Sequence, residues 1–399
     1  MLSLSGVFPR AGDERLGLFV KSRLAALSRR VPVRVVCPVP WIDLSRGRIE
    51  LPALDAKSPG DQSGLEVDYP VWFYPPGWGT WNGLFMARAL QGRLARCRRS
   101  FDFQLIDAHF GHPEGIAADR LARHFRVPFT VTLRGNETMH ASHPKIRLLM
   151  AESLQRAAAV ICVSSPLRDF ALSLGVDAER AHVVPNGIDA AVFRPHPREE
   201  TRQQLRMDPD SLHVLSAGYL IARKGHHRVV NALAEVRRQG VPAQLWIVGG
   251  PGREGDCQEE IRNAVERLGL APFVHLTGSV GPAELARYMA ASDVFCLASE
   301  REGWPNVVNE ALACGTPAVA FDVGGVPQML PGDQYGIVVP PANDAALTAA
   351  LCTALRRGWD RAAIARWGAG RSWEAVAAQV ADLFRTIVGE SIAPPDRLS

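Results

Sequence analysis

Short apolar runs of strand length alternate, from one end of the chain to the other, with stretches in which apolar residues return every three to four positions. In the first half the strand-like runs are LSLSGVF (2–8), VRVVCPV (33–39), FQLIDAH (103–109), PFTVTLR (128–134), AVICVSS (159–165) and HVVPNG (182–187). Helical spacing lies between them, as in GLFVKSRLAALSRR (17–30) and PEGIAADRLARHF (113–125). The second half repeats the style with HVLSAGY (213–219), AQLWIVG (243–249), FVHLTGS (273–279), DVFCLAS (293–299), PAVAFD (317–322) and YGIVVP (335–340). Such alternation predicts parallel sheets built from βαβ units. The stretch 189–211 is polar and proline-containing and reads as a linker. The expected architecture is therefore α/β, with two Rossmann-like domains facing an interdomain cleft, 1–190 and 191–370, followed by a last helix and tail, 371–399. Open α/β sheets bind ligands beyond the carboxyl ends of their strands, so the loops after each strand should carry the chemistry.

Length agrees with two domains, since 399 residues exceed one ordinary core. With 47% hydrophobic and 22% charged residues the composition is globular. The longest apolar runs, such as AAAVICV (157–163), fall short of the roughly 18 residues of a membrane span. The start MLSLSGVFPR lacks the basic region of a signal peptide. Seven cysteines are scattered without CxxC spacing, which suits a reducing cytoplasm and argues against a disulfide framework or zinc module. Residues 1–190 hold 24 Lys/Arg against 18 Asp/Glu, and the remainder 21 against 23. That excess is too small for a nucleic-acid binder, which needs a strong basic stripe, but it is compatible with an anionic membrane surface.

The chemistry concentrates in EGWPNVVNE, where Glu302 and Glu310 lie eight residues apart around a helix entrance. Pro305 suits the first helical position, Val307, Val308, Ala311 and Leu312 the buried face, and Gly315 the helix end. The backbone N–H groups of Asn306 and Val307 then favour an anion such as a phosphate, and the two carboxylates suit hydroxyls of a ribose and a second sugar. A solvated loop Glu and a salt-bridged helix Glu fit the spacing as well. Lys224, in ARKGHH after a strand, suits a diphosphate leaving group. GGPGREG contains G-x-G-x-x-G at Gly250, Gly252 and Gly255, but the next strand ends in Gly278 and Ser279 rather than the acid of a dinucleotide site. It reads better as backbone lining a ligand, with Gly278 to Val280 nearby. Asp208-Pro-Asp210 mimics a D-x-D metal motif without a preceding strand and reads as a turn. The H-x-x-H pairs His109/His112 and His140/His143 lack a third ligand, so no metal site is expected. Neither a P-loop nor a G-x-S-x-G elbow occurs. On the N-terminal side Gly17, His109, Arg134, Asn136 and Glu137 follow predicted strands and should face the cleft, with His109 equally readable as a satisfied structural histidine.

E-G-x-P-x-x-x-x-E followed by ALACGTPAVA resembles the E-x7-E region of glycosyltransferase family 4, retaining enzymes of the GT-B fold. The likeness runs through VTLRGNE (131–137), VVPNGIDAAVFRP (183–195), SAGYLIARKGHH (216–227), LWIVGGPG (245–252), FDVGGVPQML (321–330) and SWEAVAAQVADLF (372–384). The resemblance implies that Glu302 touches the donor sugar and Glu310 the nucleotide ribose. It further implies that Gly303 and the helix entrance line the donor site, that Lys224 takes the diphosphate charge, and that no metal is needed. It implies a front-face mechanism and a final helix crossing back to the first domain. Two positions depart from the family pattern. Tyr219 stands where an arginine is usual, leaving Arg223 as the local second cation, and Arg134 stands where a histidine is frequent.

The expectation is thus a retaining hexosyltransferase, moving sugar from a UDP- or GDP-sugar to a saccharide or lipid-linked acceptor in bacterial surface polysaccharide or lipopolysaccharide synthesis. Glu302, Lys224 and His109 would be catalytic. A catalytically impaired nucleotide-sugar-binding subunit, or an epimerase or phosphorylase on the same fold, stays open. In 71–99, six aromatics (Trp72, Phe73, Tyr74, Trp78, Trp81, Phe85) precede Arg88, Arg93, Arg96, Arg98 and Arg99 with no acid among them. That pattern suits peripheral contact with the cytoplasmic face of a membrane, or else rings packed in the core beneath solvated arginines.

Overall fold

The computed structural model describes residues 1–10, 13–45, 64–252 and 255–389. The chain forms two compact units, one of Met1–Gly187 joined by the final helix Trp373–Val388, the other Ile188–Ser372.

The first unit is organised around a seven-stranded sheet in which every pair is parallel. Its order is Glu66–Asp68, Arg34–Val36, Leu2–Leu4, Ile106–His109, Phe129–Leu133, Ala159–Cys162, Ala181–Val183. The strand order reverses between Leu2–Leu4 and Ile106–His109, the place where open α/β sheets take ligands. Glu66–Asp68 was not foreseen, because three half-polar residues carry no apolar signal. The final helix packs on the first helix, Leu18–Ser28. Val376, Val380 and Phe384 join Val20, Leu24 and Leu27 in one buried cluster. An apolar face repeating at helical spacing can be buried only against a second such face, and these two supply it.

The second unit has six parallel strands in the order Val274–Gly278, Ala243–Val248, Leu212–Ala217, Val294–Leu297, Ala318–Phe321, Gly336–Val339. This is the doubly wound order of a Rossmann sheet, with its reversal between Leu212–Ala217 and Val294–Leu297. Strands buried on both faces read as continuous apolar runs, which is why these were legible. Leu215, Ile247, Phe295, Val319 and Phe321 meet Leu233, Val308, Leu312 and Leu351 from the covering helices.

Two expectations change. Most strands are shorter than the runs that announced them, 2–8 shrinking to Leu2–Leu4 and 213–219 ending at Ala217, because the runs continue into the loops beyond the carboxyl ends. The stretch 189–211 is built into the second unit instead of linking. It contains the helix Arg198–Gln204, whose Arg198 and Arg202 both pair with Asp293, Arg202 Nη2 at 2.6 Å. Within 71–99, a 3₁₀ turn Gly79–Trp81 leads into the helix Asn82–Cys97. Trp72 is buried, whereas Phe73 and Trp78 are more than half exposed. Arg93 pairs with Asp68 at 2.5 Å, so this arginine has an acid from outside the stretch.

Candidate active site

In the second unit the site forms where the strand order reverses. Leu212–Ala217 runs into Gly218, Tyr219 and a 3₁₀ turn Ala222–Lys224. Gly225 closes that turn at φ 70° with its bare face against the Ala298 carbonyl, so a Cβ there would collide with backbone. Lys224 is thereby delivered beside the end of Val294–Leu297. Its Nζ donates to Glu302 Oε1 at 2.5 Å, and both side chains are largely buried. The Glu300 N–H donates to the Arg223 carbonyl at 2.9 Å, tying the same two loops together. His226 secures the first loop from beneath. Its Nδ1 lies 2.9 Å from Ser216 Oγ and its Nε2 3.3 Å from the Tyr219 carbonyl, while burial pushes its pKa down to about 4, leaving a neutral ring.

The helix Asn306–Ala313 begins one residue later than anticipated. Pro305 is its cap, at ψ 91°, and Asn306 is the first helical residue, so the N–H groups of Asn306 and Val307 still open the helix. Val308, Ala311 and Leu312 are buried as expected, with Val307 only partly so. Gly303 is buried, and its carbonyl accepts the Gly325 N–H at 2.9 Å, which holds the 302–304 loop. The Glu310 carboxyl has no hydrogen-bond or ion-pair partner among the described residues, and burial pushes its pKa up to about 7. The salt-bridged reading of this helix glutamate is therefore not met.

The glycine-rich turn packs against the same loop. Gly249 donates to the Gly278 carbonyl at 2.9 Å, and Leu220 donates to the Gly250 carbonyl at 2.8 Å. Gly250 faces Ser279 Oγ, and Val280 packs partly on the core. Lys224, Glu302, Gly303, Gly250 and Gly278 thus belong to one set of interlocked loops. Asp208-Pro-Asp210 is a capped turn, Asp208 Oδ1 accepting the Asp210 N–H at 3.1 Å. Among the described residues no group of three or more His, Cys, Asp or Glu could hold a metal ion.

In the first unit, His109 ends Ile106–His109 and is completely buried. Arg134 Nε and Nη2 approach its Nδ1 at 3.1 and 2.8 Å, and its Nε2 stands 3.2 Å from Asp107 Oδ2. A guanidinium can only donate, so Nδ1 accepts and Nε2 carries the proton. Burial, followed by Arg134, lowers the His109 pKa to about 4 against the opposing pull of Asp107. Arg134 thus occupies Nδ1, while Nε2 makes no well-directed hydrogen bond despite its approach to Asp107. Glu137 is turned inward and takes backbone N–H groups of Gly135 at 2.6 Å, Arg134 at 3.1 Å and Gly111 at 3.2 Å. Asn136 is exposed. Gly17, at φ 68°, caps the first helix and gives its bare face to the Val7 carbonyl, so the chain itself accounts for its small size.

Four residues of this centre escaped the sequence reading. Asp107 was detectable, since it lies two positions before His109 and so on the same strand face. Arg23, fully buried, reaches Thr132 Oγ1 at 3.0 Å and lies 3.7 Å from Asp107. It hid among the charges of the first helix. Asn186 accepts from Arg134 Nη1 at 3.1 Å, and Glu114 accepts the Gly6 N–H at 2.9 Å, both across long stretches of chain.

Residues 19–192 match the family described as Glycosyltransferase Family 4, and residues 197–368 that described as Glycosyl transferases group 1. A D-inositol 3-phosphate glycosyltransferase of Segniliparus rotundus is 35% identical over 225 residues, an alignment spanning 55% of this chain and 50% of that protein. The GDP-mannose-dependent alpha-(1-6)-phosphatidylinositol monomannoside mannosyltransferase of Mycobacterium tuberculosis is 32% identical over 312 residues, covering 73% of this chain and 78% of its own. The crystal structure of Anabaena HepE in complex with UDP superimposes with a TM-score of 0.76 at 21% identity, covering 96% of this chain and 99% of that one, which is a likeness of fold. Two parallel Rossmann-like sheets of doubly wound order, with these matches over both units, place the chain in glycosyltransferase family 4, a glycosyltransferase of the GT-B class.

Proposed function

We propose that the chain transfers a hexose, with retention and without a metal ion, from a UDP- or GDP-sugar to a saccharide or lipid-linked acceptor in bacterial surface polysaccharide or lipopolysaccharide synthesis. The observation that carries the proposal is the Lys224–Glu302 pair at the strand reversal of the second unit, with the partnerless Glu310 carboxyl in the helix that follows. A half-buried carboxyl without a cation among the described residues suits a ribose hydroxyl, to which it is an acceptor when ionised and a donor when protonated. A diphosphate draws Lys224 to itself, which frees Glu302 for a hydroxyl of the donor sugar. The helix entrance at Asn306 and Val307 shares the phosphate charge, and Arg223 is the second cation in place of Tyr219. The glycine turn at Gly250 and the end at Gly278 to Val280 border the base. In the reaction the bond from the anomeric carbon to the diphosphate oxygen breaks and a bond to the acceptor oxygen forms on the same face. The acceptor's proton passes to the departing phosphate.

The relatives support both bases, GDP-mannose in the mycobacterial enzyme and UDP in the HepE complex. The mycobacterial acceptor, a phosphatidylinositol mannoside, supports a lipid-linked acceptor here, bound through the first unit. No helix among the described residues is long and apolar enough to cross a membrane. Phe73 and Trp78, exposed like Arg88, Arg96 and Arg99 of the same stretch, would instead rest on an anionic cytoplasmic leaflet. Flotation with phosphatidylglycerol vesicles would show this, and loss of flotation in Phe73→Ser/Trp78→Ser is the expected control.

The direct test is a thermal-shift series with UDP, GDP, ADP, CMP and their sugar conjugates in EDTA. UDP or GDP should raise Tm, and Glu310→Ala should abolish the rise. Lys224→Ala should lower kcat by about 10²–10³, the usual loss when one group at a developing charge is removed. Absence of any nucleotide effect would overturn the donor assignment.

A further inference from the structure

Arg134 stands out among the buried cations of the first unit. It is 8% exposed, yet among the described residues no carboxylate lies within ion-pairing distance of its guanidinium. The nearest acid in sequence, Glu137, spends its oxygens on backbone N–H groups, including that of Arg134 itself. Among the described residues the guanidinium meets neutral acceptors alone, Nδ1 of His109 and Oδ1 of Asn186, and it lies over the Phe19 ring with Cζ 4.9 Å from its centroid. Of five N–H donors, Nε and one on Nη2 converge on His109 and one on Nη1 serves Asn186, so one donor on each terminal nitrogen is left over. Two spare donors on a planar fork match the two oxygens of a carboxylate or phosphate. A buried cation with carboxylates near it but none in direct contact stays expensive, and a bound anion would lower the penalty.

The groups behind Arg134 look arranged to aim it. Because Nδ1 must accept, the proton sits on Nε2, and Asp107 Oδ2 at 3.2 Å favours that tautomer. Asp107 is itself held by Thr130 Oγ1 at 2.8 Å and faces Arg23 Nη2 at 3.7 Å. The chain of contacts runs from the first helix through two adjacent strands to the loop after Phe129–Leu133.

We propose that Arg134 recognises a carboxylate or phosphate on the substrate held by the first unit, and that Asp107 and His109 are positioning residues that aim it. The proposal rests on the reading of that unit as the acceptor side, and it narrows the acceptor to an anionic one.

The test follows the ring nitrogens of His109 by 15N NMR in the full-length protein labelled at histidine, with His109→Gln to assign the signals. Inorganic phosphate, methyl glucuronide and uncharged methyl glucoside are titrated separately, in the parent and in a Lys224→Ala background that disables the nucleotide side. Phosphate or glucuronide should shift the His109 signals in both backgrounds, while glucoside should not. Whichever anion binds names the source of the charge. Arg134→Gln should remove the response and Arg134→Lys should weaken it. Asp107→Asn should move the ring proton towards Nδ1 and weaken anion binding on the order of tenfold, as when a group orienting a binding residue is removed. No shift with either anion, or a shift that survives in a folded Arg134→Gln, would overturn the assignment. Unchanged anion affinity in Asp107→Asn would overturn the positioning role. Turnover is not read, so failure of the donor reading leaves this result standing, and the reverse holds too.

Discussion

Glu114 is a carboxyl that folding keeps protonated at a pH where the unfolded chain releases the proton. One oxygen takes the Gly6 N–H, the other has no partner among the described residues, and burial pushes its pKa up to about 7, with Glu137 adding to the rise. The unfolded state therefore binds fewer protons between its ordinary carboxyl pKa of 4.5 and about 7, so the contribution of Glu114 to stability falls across that window and is flat above it. Glu114→Gln should match the parent in Tm near pH 4.5 and gain on it steadily up to pH 7. Buried His109, His112 and His226, each lowered to about 4 chiefly by burial, act oppositely. They stay neutral in the fold, so their contribution is lost as pH falls below about 6.5. The difference between variant and parent cancels them. A pH-independent difference would mean that Glu114 is ionised in the fold.

The element that decides the geometry of the donor side is the loop after a strand, not the strand. Gly249 lies so close to the Gly218 carbonyl that an added Cβ would strike it. Gly249→Ala should therefore push apart the glycine turn and the loop leading to Lys224. A destabilisation of about 1–3 kcal/mol is expected for such overpacking. In a unit of this size each kcal/mol lowers Tm by about 2–4 °C. Nucleotide affinity should fall by more than that stability loss explains, because the two loops carry the site. An unaltered nucleotide response in the folded variant would show that the donor does not depend on this approach. Elements also show what was legible. Runs such as FVHLTGS and DVFCLAS announced their strands because parallel strands are apolar on both faces. Glu66–Asp68 did not, since edge strands need no such pattern, and it joins its sheet through backbone pairing with Arg34–Val36.

For the molecule, the final helix is the largest long-range commitment of the chain. Trp373–Val388 follows the second unit in sequence yet completes the core of the first, with Phe384 fully buried beside the first helix. Phe384→Ala should cost about 3–5 kcal/mol, the usual range for emptying such a site. In calorimetry the loss should fall on the first unit, with the nucleotide-stabilised transition of the second unmoved. A drop in the second transition alone would contradict the placement of this helix.

The order of strands and helices, the E-x7-E stretch and the lysine after the first strand of the second unit were readable before any coordinates, because periodicity and turn chemistry are local properties of the chain. Local pattern also placed Lys224 after a strand, Glu302 before a helix entrance and Glu310 within that helix. It could not say which carboxylate is paired. Lys224 reaches Glu302 across 78 residues, and Glu310 keeps no partner among the described residues, a difference set by which side chains meet after folding. The same holds for the Arg23–Asp107–His109–Arg134 chain, whose members lie on separate helices, strands and loops and acquire their proton positions only from one another. Periodicity records which face of an element is apolar, whereas charge pairing and tautomer depend on distances of a few ångströms between distant segments, and only tertiary packing supplies those.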